Sequence, residues 1–329
     1  MPAPPPPAVL AWMPPADQPP LTIERMLTAW TFDPAMVLPV LVAAGLYLWG
    51  VRMLRRRGDA WPVLRTVYWF AGLTLVFLAT SSALGVYDRT LFVVPAIQHM
   101  LLQMIAPVGL AMGAPVTLAM RTFPAVWRRR VLAVVHSRPM RFVGHPAIAF
   151  ALFAITQFAF YYTPLYELSL RNVWLHDLSH VHFVLVGFLF FWALLGVDPV
   201  PHRPPFFFRF MLVLGLAPMH ILLGIPIMLM KELLAEDFYV EVARDWGPTM
   251  LDDQAVGGGI LWGFGDVSAA ALIGAFVLQW YRSDERDARR TDRALDRRYG
   301  AGPTMPPWWL EPEEQAHRAA QAPPGREGP

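Results

Sequence analysis

Residues 174–197, WLHDLSHVHFVLVGFLFFWALLGV, carry one acid and three histidines in their first nine positions, and after them only apolar side chains and glycine. At about 1.5 Å per helical residue the run is about 36 Å long, enough to cross a hydrocarbon core of about 30 Å. A stretch like this belongs in a bilayer. Six further runs read the same way, at 35–51, 66–87, 91–112, 146–165, 206–230 and 259–281. The expectation is an all-α, polytopic membrane protein built as a bundle of seven transmembrane helices. Prolines inside the runs (Pro39, Pro95, Pro107, Pro218, Pro226) predict kinks that widen the space between helices.

Composition points the same way. Of 329 residues, 55% are hydrophobic and 16% charged, against about 45–50% and about 25% in soluble domains. Cysteine is absent, which excludes disulfides, thiolate zinc sites, iron–sulfur clusters and cysteine nucleophiles. Any metal must be held by histidine, methionine or oxygen. Of the 27 basic residues all but Lys231 are arginine, and they cluster between the apolar runs. That is a topology signal and not a nucleic-acid footprint.

Charge in the connections sets an expected orientation. Arg52, Arg55, Arg56, Arg57 and Arg65 face a single Asp59 after the first run, and Arg121, Arg128, Arg129, Arg130, Arg138 and Arg141 face no acid after the third. Both connections read as cytoplasmic. The segment 231–256 instead carries seven acids against Lys231 and Arg244, which places it outside. A seven-span chain with its amino terminus outside and its carboxyl terminus in the cytoplasm satisfies every connection, including the seven arginines of 282–298. The expected location is a plasma membrane, with the cytoplasm on the arginine-rich side.

The organisation follows. Residues 1–30 read as a proline-rich mobile arm, with nine prolines in the first 20 positions. No basic residue precedes Arg25, so the charged start of a signal peptide is missing and the first run reads as a retained span. Residues 31–282 form the membrane domain, 283–298 a charged helical extension in the cytoplasm, and 299–329 a disordered tail.

Ionisable side chains inside spans are costly and therefore mark function by default. His99, His176, His180 and His220 lie in three different spans. Counted from the outer ends, His99 is about 12 Å deep, His180 about 9 Å and His220 about 15 Å, so the three spans offer histidines in one layer. His176 and His180 are four apart and share a helix face, a spacing suited to joint metal ligation. Asp177 is a candidate ligand or orienting acceptor. Met100, Met104, Met219 and Met228 add thioethers near the same histidines. Thioether with imidazole suits copper, Cu(I) especially, and zinc could bind through histidine alone.

Each feature also has a plain structural reading: histidines as interhelical hydrogen-bonding groups, methionines as gap fillers. His136, His145 and His202 belong with the arginine-rich connections and His317 with the tail. Tyr161, Tyr162 and Tyr166 with Glu167 read as an interface belt. Asp252 and Asp253 read as a solvated acidic loop or a cation guide. Gly257–Gly258–Gly259 reads as a tight entry into the last span and not as a phosphate loop. Lys231 lies outside the final run, so no retinal Schiff base can form there.

Six stretches taken in order, QHMLLQMIAPVGLAMGAPVTL (98–118), YYTPLYE (161–167), HDLSHVHF (176–183), LLGVDP (194–199), APMHILLGIPIM (217–228) and DDQAVGGGILW (252–262), resemble the CtaG-type cytochrome c oxidase assembly factors. These are multi-span bacterial proteins associated with formation of caa-type oxidases. The resemblance covers about residues 30–298 and includes histidines matching His99, His176, His180 and His220. It implies a role in oxidase maturation with the oxidase subunits as partners, through supply of copper.

The leading expectation is a non-enzymatic factor with no catalytic residue and no nucleic-acid partner. It holds copper between His99, His180 and His220, with His176, Asp177 and the four methionines assisting. The alternatives are a haem-binding redox protein with two axial histidines, a di-metal hydroxylase, and a metal-free scaffold for oxidase assembly.

Overall fold

The structure is a computed structural model that describes residues 18–202 and 205–299. Residues 1–17, with most of the proline-rich arm, and 300–329, with nearly all of the tail, lie outside the described residues, as do most side chains of 283–298. The described chain is helical and without strands. Six helices are long and apolar enough to cross a membrane, and a bent pair raises the number to seven. They are α1 (Pro34–Arg56), α2 (Val63–Tyr87), α3 (Val93–Thr122), the bent pair α4 (Pro146–Tyr162) and α5 (Leu165–Arg171), α6 (Val173–Leu195), α7 (Phe206–Leu229) and the Met250–Gly274 part of α8 (Met250–Tyr299). The first compact unit ends at Gly274, and the second begins at Ala275 and is helical through Tyr299.

Local chemistry explains the departures from straight rods. The bend of 70° between α4 and α5 falls at Thr163–Pro164, where proline cannot continue the helix. α3 is interrupted by a π-turn at Leu101–Ile105, just before Pro107, and again at Ala114, which adopts a left-handed conformation ahead of Pro115. α2 breaks at Ser82, and its last turn, Ala83–Tyr87, starts afresh with the Ser82 hydroxyl as cap.

α3 is the centre of the bundle, packed between α2 and α6. Glycine lets the backbones approach: a Cβ on Gly187 of α6 would fall 2.1 Å from the Gln103 carbonyl oxygen, and one on Gly109 would fall 2.8 Å from that of Tyr68. Two aspartates from elsewhere in the chain cap helix starts within α3. Asp253 accepts from the amides of Phe92 (2.7 Å) and Val93 (3.3 Å), with Arg244 at 3.4 Å from the same carboxylate. Asp198 accepts from Val116 (3.0 Å), the Thr117 amide (2.7 Å) and the Thr117 hydroxyl. Both satisfy amides that a helix start leaves free, and both carboxylates meet the positive end of a helix dipole.

Several expectations change here. The acidic stretch before the last run is helical from Met250, so Asp253 is a buried cap while Asp252 stays exposed. Gly257 and Gly258 sit inside that helix, where they admit the Phe92 ring and the Met228 backbone, and no tight turn is made. Tyr161 and Tyr166 are 2% exposed and face inward; only Tyr162, at 39%, fits an interface belt. The end of the arm is packed: Gln18 donates to the Val86 carbonyl at 2.9 Å, and Trp246 donates to the Gln18 carbonyl at 2.6 Å.

Removing either capping carboxylate leaves buried amides unpaired. Asp198→Ala is expected to cost about 1–3 kcal/mol, and Asp253→Ala, which also strands the buried Arg244 guanidinium, about 3–5 kcal/mol. Asp252→Ala, on the exposed neighbour, should stay within about 0.5 kcal/mol. Thermal melts of the detergent-solubilised protein measure all three.

Candidate metal centre

Asn172 sets the geometry of the two paired histidines. Its side chain accepts from the Leu175 amide at 3.2 Å and starts α6 just ahead of them. His176 and His180 then stand one turn apart on a single face, with ring centroids 4.5 Å apart. Opposite them, the break at Ser82 delivers Asp88 to the same place. Gln98 of α3 holds that turn by donating to the carbonyls of Ala79 (2.9 Å) and Leu84 (3.2 Å) and to Asp88 Oδ2 (3.2 Å).

The result is a compact donor set. One ligand atom each from Asp88, His176 and His180 lies within 4.8 Å of the other two. His176 Nε2 is 3.1 Å from Asp88 Oδ2. All three residues are buried, and His180 Nε2 has no hydrogen-bond partner among the described residues. Burial alone would raise the Asp88 carboxyl, but His176 first, then His180 and Gln98, hold it below the usual carboxylate value. Asp88 is therefore ionised at neutral pH. In that state His176 donates Nε2–H to it.

The three line a cavity of about 380 Å³ together with Asp33, Arg89 and Asp177. Burial brings the Arg89 guanidinium down to about 10, against the opposing pull of Asp88. Its Nε–H is tied to the Leu170 carbonyl at 2.9 Å. Asp177 faces Asp33 on the cavity wall, and Asp33 also caps α1 through the Ala35 amide at 2.8 Å. Met36 of α1 supplies the cavity's thioether.

The predicted residues separate into groups. His176, His180 and Asp177 come together. His99 is next to them, its ring 6.3 Å from that of His180, but its Nδ1 is engaged with the Tyr161 hydroxyl at 2.6 Å. His220 stands apart. His99 rests on Phe160 and His220 on Phe153, seven residues along α4 and so about 10 Å away. Depth counted from the ends of ideal rods misses such offsets between neighbouring helices. Met100 and Met104 are fully buried, and Met100 belongs to the apolar core with Phe160 and Phe183. Met219 is also buried, Met228 packs on Gly258, and none of the four lines this cavity. Asp88, Gln98 and Met36 were not legible as site residues. An acid followed at once by arginine in a short connection between two spans was the one available signal for Asp88.

These observations define a multi-pass helical membrane protein with a buried histidine–carboxylate centre. Residues 45–283 match the family described as the cytochrome c oxidase caa3 assembly factor, and the chain belongs to that family. Uncharacterized proteins of Mycobacterium bovis and Mycobacterium tuberculosis are each 38% identical to it over 289 residues, and one of Mycobacterium leprae is 36% identical. Each alignment covers 86% of this chain and 44% of the relative, so the chain spans less than half the length of these relatives. No solved structure matches it.

The Asp88–His176 pair predicts a pH signature. Because Asp88 is held below its ordinary value of about 3.9, its contribution to stability is full above that pH and is lost as the pH falls through the lower folded value. His176→Ala leaves the carboxylate buried without its imidazole and is expected to cost about 3–5 kcal/mol at neutral pH. The cost should shrink in acid, where the variant's Asp88 is protonated. Melts of both proteins between neutral pH and about pH 4 check this.

Proposed function

We propose that the protein serves cytochrome c oxidase assembly by binding a transition-metal cation, copper foremost, at Asp88, His176 and His180 and passing it to an oxidase subunit. The observation that carries this reading is the convergence of three ligand atoms within 4.8 Å of one another inside a membrane protein of an oxidase assembly family. Two imidazoles and a carboxylate form a harder set than the histidine and methionine group expected from sequence. That set suits Cu(II) or Zn(II), and the Irving–Williams order favours copper. The role needs no bond-breaking step, so the protein acts as a carrier and not as an enzyme. His99 supports the site by packing beside His180.

In this reading the bent pair counts as a span, the amino terminus lies outside the bacterial plasma membrane and the carboxyl terminus lies in the cytoplasm. The arginine-rich connections at 52–65 and 121–141 support that orientation. The cavity then opens toward the outer face, where Asp33, Asp88 and Asp177 attract cations. Delivery favours an incomplete donor set. Three protein ligands leave coordination positions open for a ligand of the acceptor.

Binding of Cu(II), Zn(II) and Fe(II) to the purified protein tests the reading directly. Cu(II) should bind more tightly than Zn(II), and His180→Ala and Asp88→Asn should each weaken it at least about tenfold. Preferential retention of iron, or copper affinity unchanged in both variants, would overturn copper delivery by this centre.

A further inference from the structure

His220 is fully buried, and its Nδ1–H donates to the Leu216 carbonyl at 2.8 Å. That bond fixes the neutral tautomer, so Nε2 carries a lone pair, and it meets no hydrogen-bond partner among the described residues. The ring is seated against α8 where Gly265 leaves room: a Cβ there would fall 2.3 Å from His220 Cγ. The next residue, Asp266, accepts Trp262 Nε1–H on Oδ2 at 2.8 Å, while its Oδ1 is buried and likewise unpartnered.

Register brings the two to one depth. Gly258 packs on Met228, which fixes a common level for α7 and α8. His220 and Asp266 are each eight residues from that level, about 12 Å along antiparallel helices. Two acceptors at one depth inside the bundle, each with an unused lone pair, call for a positive charge between them.

We propose that His220 and Asp266 form a second, interior cation site, filled by the same divalent transition metal as the Asp88–His176–His180 centre and completed by water. The proposal rests on the metal-carrying reading above. With one imidazole and one carboxylate from the protein, the interior site holds its ion less tightly than the first and suits a station in transit. The core between the sites is not uniformly apolar. Gln103 and Gln157 are fully buried, Gln103 donates to the Phe153 carbonyl at 2.9 Å, and Gln157 leaves both amide atoms unpartnered among the described residues. Phe153 is also the ring that His220 touches.

Cu(II) binding to the full-length protein in detergent tests this, by equilibrium dialysis with elemental analysis and by electron paramagnetic resonance of the bound ion. The wild type should take two ions per chain. His180→Ala should keep the interior ion alone, with a spectrum showing a single coordinating imidazole nitrogen. His220→Gln, which fills the Gly265 cradle, should keep the other ion alone, with two. Asp266→Asn should weaken the interior ion at least about tenfold while its melting temperature stays near that of the wild type. A wild type that binds one ion, lost in His180→Ala and retained in His220→Gln, overturns the interior site and leaves the first centre standing. A wild type that binds no copper overturns both.

Discussion

A carboxylate taken out of water inside a membrane protein must find charge or hydrogen bonds to replace its hydration, and Asp88 finds both. His176 donates a hydrogen bond to it at 3.1 Å and Gln98 a second at 3.2 Å. The consequences spread outward. Gln98 spends its other contacts on the carbonyls of Ala79 and Leu84, so the break at Ser82 is held by the same side chain that steadies the carboxylate. Fold and site therefore share their hydrogen bonds. The polar residue that closes the backbone break also aims the carboxylate.

α3 carries the arrangement because it is tied at both of its helix starts. Asp253 and Asp198, distant in sequence, each accept two backbone amides there. Between them the π-turn at Leu101–Ile105 turns the helix so that the Gln103 carbonyl meets Gly187. The close approach of α3 and α6 brings His99 beside His180, with Phe183 packed 4.2 Å from the His99 ring. A single helix thus positions one histidine, the glutamine that steadies Asp88 and the glutamine that lies toward His220.

Much of the fold was legible because hydrocarbon leaves few choices: long apolar runs must be helices, and their ends fall near charges and prolines. Less of the site was legible, for identifiable reasons. His176 and His180 were found because a spacing of four is local information. Asp88 depends on a helix break at Ser82 and a contact 88 residues along the chain, neither of which has a local pattern. The common layer assigned to His99, His180 and His220 assumed rods with level tops; His99 and His180 do meet, while His220 lies about two helical turns along α4 from His99. Gly257 and Gly258 look like turn glycines in sequence and prove to be contact glycines, since only the neighbours Phe92 and Met228 reveal what they admit.

The donor chemistry favours exchange over storage. A closed tetrahedral cage would offer four protein ligands and hold its ion through turnover of the protein, as structural zinc sites do. Here two imidazoles and one carboxylate meet in a cavity of about 380 Å³ whose wall also carries Arg89, Asp33 and Asp177. Asp88 already shares its charge with His176, so a cation binding as proposed would displace a proton, and its departure would leave a pair that is stable without it. That reciprocity keeps the buried carboxylate satisfied with the ion or without it. Under the proposed carrier role, release of a cation would therefore leave no unpaired buried charge behind.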